Sequence, residues 1–265
     1  MDRASKKRLL RGGYITWAVL MILGSLVLVF SAARTNDGTA GKFQQVLVDD
    51  FNETQKLPVA GENSDAAWAA YSGQPGGNSR GLWSPANVSI GGGELLIKTT
   101  REGNQFVTGG VGNGIHQTYG KWEVKMRMPY SKSVKFVVQL WPTKGWPPEI
   151  DFAEGGGATR RPDGYSAYFH WGAPDTQKPG NKQQTRQRLT GIDLSDWHTV
   201  GVTWRPGIIQ YLIDGRVWAE NRSPDVPDQD MWLAIQTEAV TDASDDAPPT
   251  SNLQVDNVKI WSWVP

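Results

Sequence analysis

The sequence predicts an all-β fold: two antiparallel sheets stacked as a jelly-roll sandwich with one concave face, preceded by a single N-terminal apolar helix. Three observations point there. Short runs that are β-branched or alternate in polarity, among them Val46–Val48, Leu95–Ile97, Val134–Leu140, Val200–Trp204 and Ile208–Ile213, are separated by Gly, Pro, Asn and Asp at sandwich intervals. Past the N-terminal run, no segment holds a helical period for long. The 30 glycines and 13 tryptophans supply tight turns and large flat side chains, with most tryptophans assigned to the core and a few to the concave face.

Taken in order, residues 1–13 are basic, carrying Arg3, Lys6, Lys7, Arg8 and Arg11. Residues 14–33 are uncharged and long enough to cross a bilayer. The basic flank predicts a cytoplasmic N-terminus and a domain outside it. Two readings stay open: an uncleaved signal anchor holding the domain at the cell membrane, or a cleavable signal peptide with Ser31-Ala32-Ala33 as its exit, giving a secreted domain. Residues 34–44 are small and polar and read as a linker, which leaves 45–265 for the sandwich. Gly91-Gly92-Gly93 marks a turn and Asp214-Gly215 a two-residue hairpin. Gly172 to Thr185 and Thr241 to Thr250 are the long loops. The chain has no cysteine, so an exported fold must rest on its core, and on any metal it binds, instead of disulfides. A formal net charge of zero gives no electrostatic case for nucleic acid, and the chain is expected to be monomeric.

The chemistry concentrates in Trp146-Pro147-Pro148-Glu149-Ile150-Asp151-Phe152-Ala153-Glu154-Gly155-Gly156-Gly157. Acids set among apolar residues are costly to desolvate and usually mark a site. On a regular strand Glu149 and Asp151 share a face and Glu154 falls on the other. A β-bulge near Phe152-Ala153 would return Glu154 to their side. Three acids on one face, two outer carboxylates and one between, suit glycoside hydrolysis. Groups this close cannot all ionise comfortably, so at least one carboxyl should titrate high, as part of a coupled set.

With its neighbours, the motif resembles glycoside hydrolase family 16, the group of laminarinases, lichenases, agarases, carrageenases and xyloglucan endotransglycosylases. The likeness runs through Tyr119-Gly120-Lys121-Trp122-Glu123-Val124-Lys125-Met126-Arg127, Leu140-Trp141-Pro142 and Gly145-Trp146-Pro147-Pro148. It continues through Asp196-Trp197-His198-Thr199-Val200-Gly201-Val202-Thr203-Trp204 with Ile213-Asp214-Gly215, and Val255-Asp256-Asn257-Val258-Lys259-Ile260. The resemblance implies a jelly roll with a carbohydrate cleft and a retaining mechanism. Glu149 would be the nucleophile, Glu154 the acid/base and Asp151 the carboxylate that hydrogen-bonds the nucleophile.

In Tyr168-Phe169-His170-Trp171, Tyr168 and His170 share one face of a strand and Phe169 and Trp171 the other. The resemblance places His170 in the cleft near the acid/base, and Gln236 as a polar cleft residue. His198 is expected to be structural. Trp141, Trp146 and then Trp171 are the candidates for stacking on sugar. The resemblance also implies a structural calcium held by Asp256, with a carbonyl of the Gly91–Gly93 turn. One departure stands out. Laminarinase-like members carry a Trp-Pro-Ala-Phe-Trp run before the acids, where this chain has Val137-Val138-Gln139-Leu140-Trp141. Gln139 is thus a candidate new polar contact. The expected function is an exported endo-β-glycosidase acting on β-1,3-glucan or a similar polysaccharide, with surface-glycan transglycosylation or non-catalytic carbohydrate binding as alternatives.

Overall fold

The computed structural model describes residues 41–61, 66–76, 79–157, 162–172, 183–240 and 251–265. The expected apolar helix over 14–33 lies outside these residues, as do 173–182 and 241–250 of the two long loops. Among the described residues no helix is long and apolar enough to cross a membrane. The one 3₁₀ turn among them is Pro85–Asn87, capped by the Ser84 side chain, which accepts from Ala86 N.

The sandwich has two large antiparallel sheets. One runs β16 (Arg216–Arg222), β15 (Ile208–Ile213), β14 (His198–Arg205), β9 (Gly120–Arg127), β18 (Leu253–Val264), β5 (Glu94–Ile97) and β4 (Val88–Gly91). β1 (Lys42–Asp49) also pairs with β18. The facing sheet, which carries the site, runs β13 (Gln183–Thr190), β12 (Gly164–Trp171), β11 (Glu149–Gly156), β10 (Val134–Pro142), β17 (Met231–Ala239), β8 (Gly110–Asn113) and β2 (Trp68–Ala70). A small third sheet joins β3 (Leu82–Trp83), β7 (Gln105–Thr108) and β6 (Thr100–Glu102).

Alternation along each strand builds the core. Phe136, Val138 and Leu140 of β10, Ile150 and Phe152 of β11, and Leu233 and Ile235 of β17 all point inward. They share one buried cluster with Trp122, Val124 and Met126 of β9 and Val200, Val202 and Trp204 of β14. Burying each such side chain is worth about 1.5–3 kcal/mol. Trp204 stacks with Trp122 at 6.1 Å and donates Nε1 to Pro227 O at 3.0 Å, so its one polar group is satisfied inside the core. Asp214 (φ 48°) and Gly215 (φ 76°) form the expected hairpin turn between β15 and β16, both in the left-handed region.

Three expectations are corrected. β1 starts at Lys42, inside the segment read as linker, because Phe43 meets Trp263 at 5.0 Å and Lys42 pairs with Val264. Gln183 to Thr185 belong to β13 and not to the preceding loop. Trp68, Trp122 and Trp204 are the tryptophans fully buried among the described residues, so most tryptophans lie at the core edge or on outer faces. There their ring faces meet cations, as Trp261 meets Lys121 at 4.6 Å and Trp197 meets Arg127 at 4.7 Å.

Candidate active site

β11 is a middle strand, buried along its whole length, and its outer face carries the acids. Pairing with β12 sets Glu149 opposite His170, Asp151 opposite Tyr168 and Glu154 opposite Ser166, with a register shift between Asp151 and Glu154. Against β10 the shift recurs: Ala153 pairs with Val138, and Asp151 with Gln139. The extra residue is the expected bulge. Phe152 and Ala153 face the core, and Glu154 returns to the side of Glu149 and Asp151. Although they lie on an outer face, Glu149, Asp151 and Glu154 are only 9 %, 3 % and 7 % exposed, so the face is recessed.

Both oxygens of Glu149 meet donors. Trp146 Nε1 donates to Oε2 at 2.6 Å. Gln139, with its amide nitrogen turned toward the acids so that both groups are satisfied, donates to Glu149 Oε1 at 2.7 Å and to Asp151 Oδ1 at 2.8 Å. His170 Nε2 lies 3.1 Å from Asp151 Oδ2. Burial, followed by the neighbouring Asp151 carboxylate, pushes the Glu149 carboxyl well above its ordinary value, and His170 and the Trp146 N–H pull part of the way back. A coupled pair of carboxyls beside one histidine can hold and release a proton with little rearrangement.

Glu154 sits in a second network that the sequence did not announce. Lys135 Nζ lies 3.4 Å from Glu154 Oε1 and 3.1 Å from Glu238 Oε2. Gln236 Nε2 donates to Glu238 Oε1 at 2.6 Å, and Ser79 Oγ donates to Glu238 Oε2. Register explains the meeting: β10 sets Lys135 opposite Glu238 and Val137 opposite both Gln236 and Glu154. The period-2 pattern of β17 puts Gln236 and Glu238 on one face, which was the signal available for Glu238.

Trp141 and Trp146 stack at 6.5 Å with an interplanar angle of 15°, beside the acids as expected. Trp146, 37 % exposed, also approaches His170 at 6.4 Å. Trp232 pairs with Trp141 across β17 and stacks on His116 at 6.2 Å, a further aromatic surface that the sequence reading missed. Trp171 is corrected. It stacks on buried Phe169 at 4.9 Å and packs against the core, as its parity with Phe169 requires, and so it leaves the cleft set. His170 lies opposite Glu149 on β12, and its Nε2 meets Asp151 Oδ2. His198 is structural, with Nδ1 2.8 Å from Asp214 Oδ2 on the other sheet.

Asp256, the residue expected to hold calcium, is engaged by neighbouring protein groups. Its Oδ2 is 3.1 Å from Lys125 Nζ and accepts from Asn257 Nδ2 at 2.7 Å, whereas calcium takes six to eight oxygens. Glu149, Asp151 and His170 do bring ligand atoms within 4.8 Å of one another. Both oxygens of Glu149 and Asp151 Oδ1 face the N–H groups of Trp146 and Gln139, which suits proton chemistry better than a cation.

Comparison with known proteins gives a family and a fold. A family model described as glycosyl hydrolases family 16 matches residues 76–259. The chain is 31% identical over 150 residues to a glucan endo-1,3-beta-glucosidase of Cryptopygus antarcticus, covering 50% of this chain and 53% of that protein. It is 26% identical over 150 residues to the endo-1,3-1,4-beta-glycanase ExsH of Rhizobium meliloti, covering 55% of this chain and 31% of that protein. The chain thus spans about half or less of the length of these curated relatives. In fold it is similar to the laminarinase from Rhodothermus marinus, with TM-score 0.65, 22% identity and coverage of 85% of this chain and 100% of that one. It is also similar to a family 16 endo-glucanase from Bacteroides ovatus, with TM-score 0.68, 19% identity and coverage of 81% and 99%.

Proposed function

The chain belongs to glycosyl hydrolases family 16, and from that premise we propose that it is a retaining endo-β-glycosidase acting on a β-1,3-linked glucan. The observation that carries the reading is the bulge in β11, which brings Glu149, Asp151 and Glu154 onto one recessed face. The name of the Cryptopygus antarcticus relative supports the glucan.

In the first step a Glu149 carboxylate oxygen bonds to the anomeric carbon as the bond to the leaving sugar oxygen breaks. The Glu154 proton passes to that oxygen. In the second step Glu154 takes a proton from water, the water oxygen bonds to the anomeric carbon, and the bond to Glu149 breaks. Trp146 and Gln139 hold Glu149 along this course, and Asp151 with His170 keeps a carboxylate beside it. Trp141, Trp146 and Trp232 offer the flat surfaces on which sugar rings rest. The uncharged run over 14–33 supports export, with the domain anchored outside the cytoplasm or secreted.

The test is incubation of the full chain with laminarin, mixed-linkage β-glucan, agarose and xyloglucan, alongside a Glu149→Ser variant, with products followed by mass. Oligosaccharides from laminarin that vanish in the variant are expected. Release from another polymer alone would refute the β-1,3 assignment, and silence on all of them would refute the hydrolase.

A further inference from the structure

We propose that Tyr71 is a sugar-binding residue at the far end of the cleft, where its hydroxyl pairs with a hydroxyl of a neutral glucan chain; the role rests on the glucan reading above. Two glycines build the floor there. Val111 of β8 faces the core, so its neighbours Gly110 and Gly112 face the cleft side. A Cβ on Gly110 would lie 2.5 Å from the Tyr71 ring and 2.8 Å from Gln236 Cβ. One on Gly112 would lie 2.6 Å from the Trp232 ring. Without those side chains, Tyr71 and Trp232 rest directly on the strand backbone.

Tyr71 N donates to Gly110 O at 2.8 Å, which fixes the residue just past the end of β2. Its ring meets Trp83 at 5.0 Å and the edge of Trp232 at 6.4 Å. Aromatic groups thus run from Trp146 beside Glu149, through Trp141 and Trp232, to Tyr71. In sheet order β8 is the third strand from β11, roughly 14 Å away at the usual strand spacing. A single sugar at the acids cannot reach that far, so Tyr71 reads an oligosaccharide.

The polar atom separates binding from packing. Trp83 Nε1 donates to Thr237 O at 2.9 Å, so that ring is satisfied within the protein. The Tyr71 hydroxyl is buried and has no hydrogen-bond partner among the described residues. An unpaired buried hydroxyl costs stability that phenylalanine would not. Burial also pushes its ionisation upward, so the group stays neutral and can both donate and accept. A glucan ring, apolar on its faces and hydroxylated at its rim, suits a site made of two aromatic surfaces and one hydroxyl.

The test pairs binding with stability, in the full chain carrying Glu149→Gln so that the ligand survives. Laminariheptaose is titrated by calorimetry into this protein with and without Tyr71→Phe, and thermal unfolding of both is followed without ligand. Losing the hydroxyl is expected to weaken Kd roughly 2- to 10-fold. The unfolding midpoint is expected to stay the same or rise, because the change removes an unpaired buried group. Weaker binding together with a lower midpoint would show that the hydroxyl supports the fold, and unchanged or tighter binding that it meets no sugar; either overturns the role. Laminariheptaose that fails to bind the Tyr71 protein overturns the glucan reading and the role with it. Expected binding results beside a parent that cleaves no polymer would overturn hydrolysis alone and leave Tyr71 as a glucan contact.

Discussion

Replacing Gln139 by leucine perturbs the nucleophile while leaving all three acids in place. The amide nitrogen of Gln139 lies 2.7 Å from Glu149 Oε1 and 2.8 Å from Asp151 Oδ1, and the residue is 4 % exposed. Leucine matches its bulk and removes both bonds. A hydrogen bond to a charged group is worth about 1.5–3 kcal/mol, and water cannot readily replace it at this depth. Losing the bond to Glu149 disfavours the carboxylate that attacks. The Glu149 carboxyl, already raised by burial and by Asp151, should rise further. The acidic limb of kcat/KM against pH is then expected to move to higher pH. On that limb the rate should fall roughly 10- to 150-fold, the kinetic equivalent of about 1.5–3 kcal/mol. Above the limb, where Glu149 is ionised in both proteins, the gap should narrow. The assay is initial rates of reducing-end release from laminarin across the pH range, with thermal unfolding as the folding check. A uniform loss at every pH, or a limb that moves down, would refute the argument that Gln139 acts through the charge of Glu149.

Stability should report the same carboxyl. Because the folded-state value of Glu149 is raised, the folded protein holds a proton that the unfolded chain gives up near 4.5, so stability falls as pH rises from there toward the folded value. Glu149→Gln removes that loss, and its unfolding midpoint should exceed the parent's by a margin that grows with pH through this window; a constant margin would count against it. Trp146→Phe deletes the 2.6 Å donor to Glu149 Oε2 and keeps most of the ring, so kcat on laminarin should drop about ten-fold or more with binding largely kept; an effect on KM alone would assign Trp146 to sugar stacking only. Gly112→Ala places a methyl 2.6 Å from the Trp232 ring, which must shift, so KM should rise while kcat holds; unchanged KM would remove Trp232 from the binding surface. Phe152→Ala empties the core beneath the bulge and should cost about 3–5 kcal/mol in denaturant unfolding; a cost below about 1 kcal/mol would mean that the neighbouring side chains refill the space.

What the sequence disclosed depended on how locally each feature is encoded. The bulge was legible because Glu149, Asp151 and Glu154 lie within one strand, and only an inserted residue reconciles their spacing with one face. The Asp214-Gly215 hairpin was legible for the same reason. The sandwich followed from alternation, which records burial strand by strand. Glu238 and Lys135 were not legible as partners. They are far apart in the chain and meet through the register of β10 with β17, which neither strand states alone. Trp171 was misplaced in spite of its own parity: its position in Tyr168-Phe169-His170-Trp171 already put it on the side of Phe169. The Lys125–Asp256 pair was not legible either, because the two residues lie on different strands, β9 and β18. At Gln139, where the chain departs from the family's tryptophan-rich run, the side-chain amide sits beside Glu149 and Asp151.

The extra residue in β11 also determines which changes of length the gene can tolerate there. Remove either Phe152 or Ala153 and the strand recovers strict alternation. Glu149 and Asp151 stay where they are, and Glu154, now two residues past Asp151, stays on their face and opposite Ser166. One lost codon would thus keep the three acids together, while removing an apolar side chain from the core and the local bend that aims Glu154. Substitutions at these two positions keep that bend, whereas a single-residue deletion abolishes it.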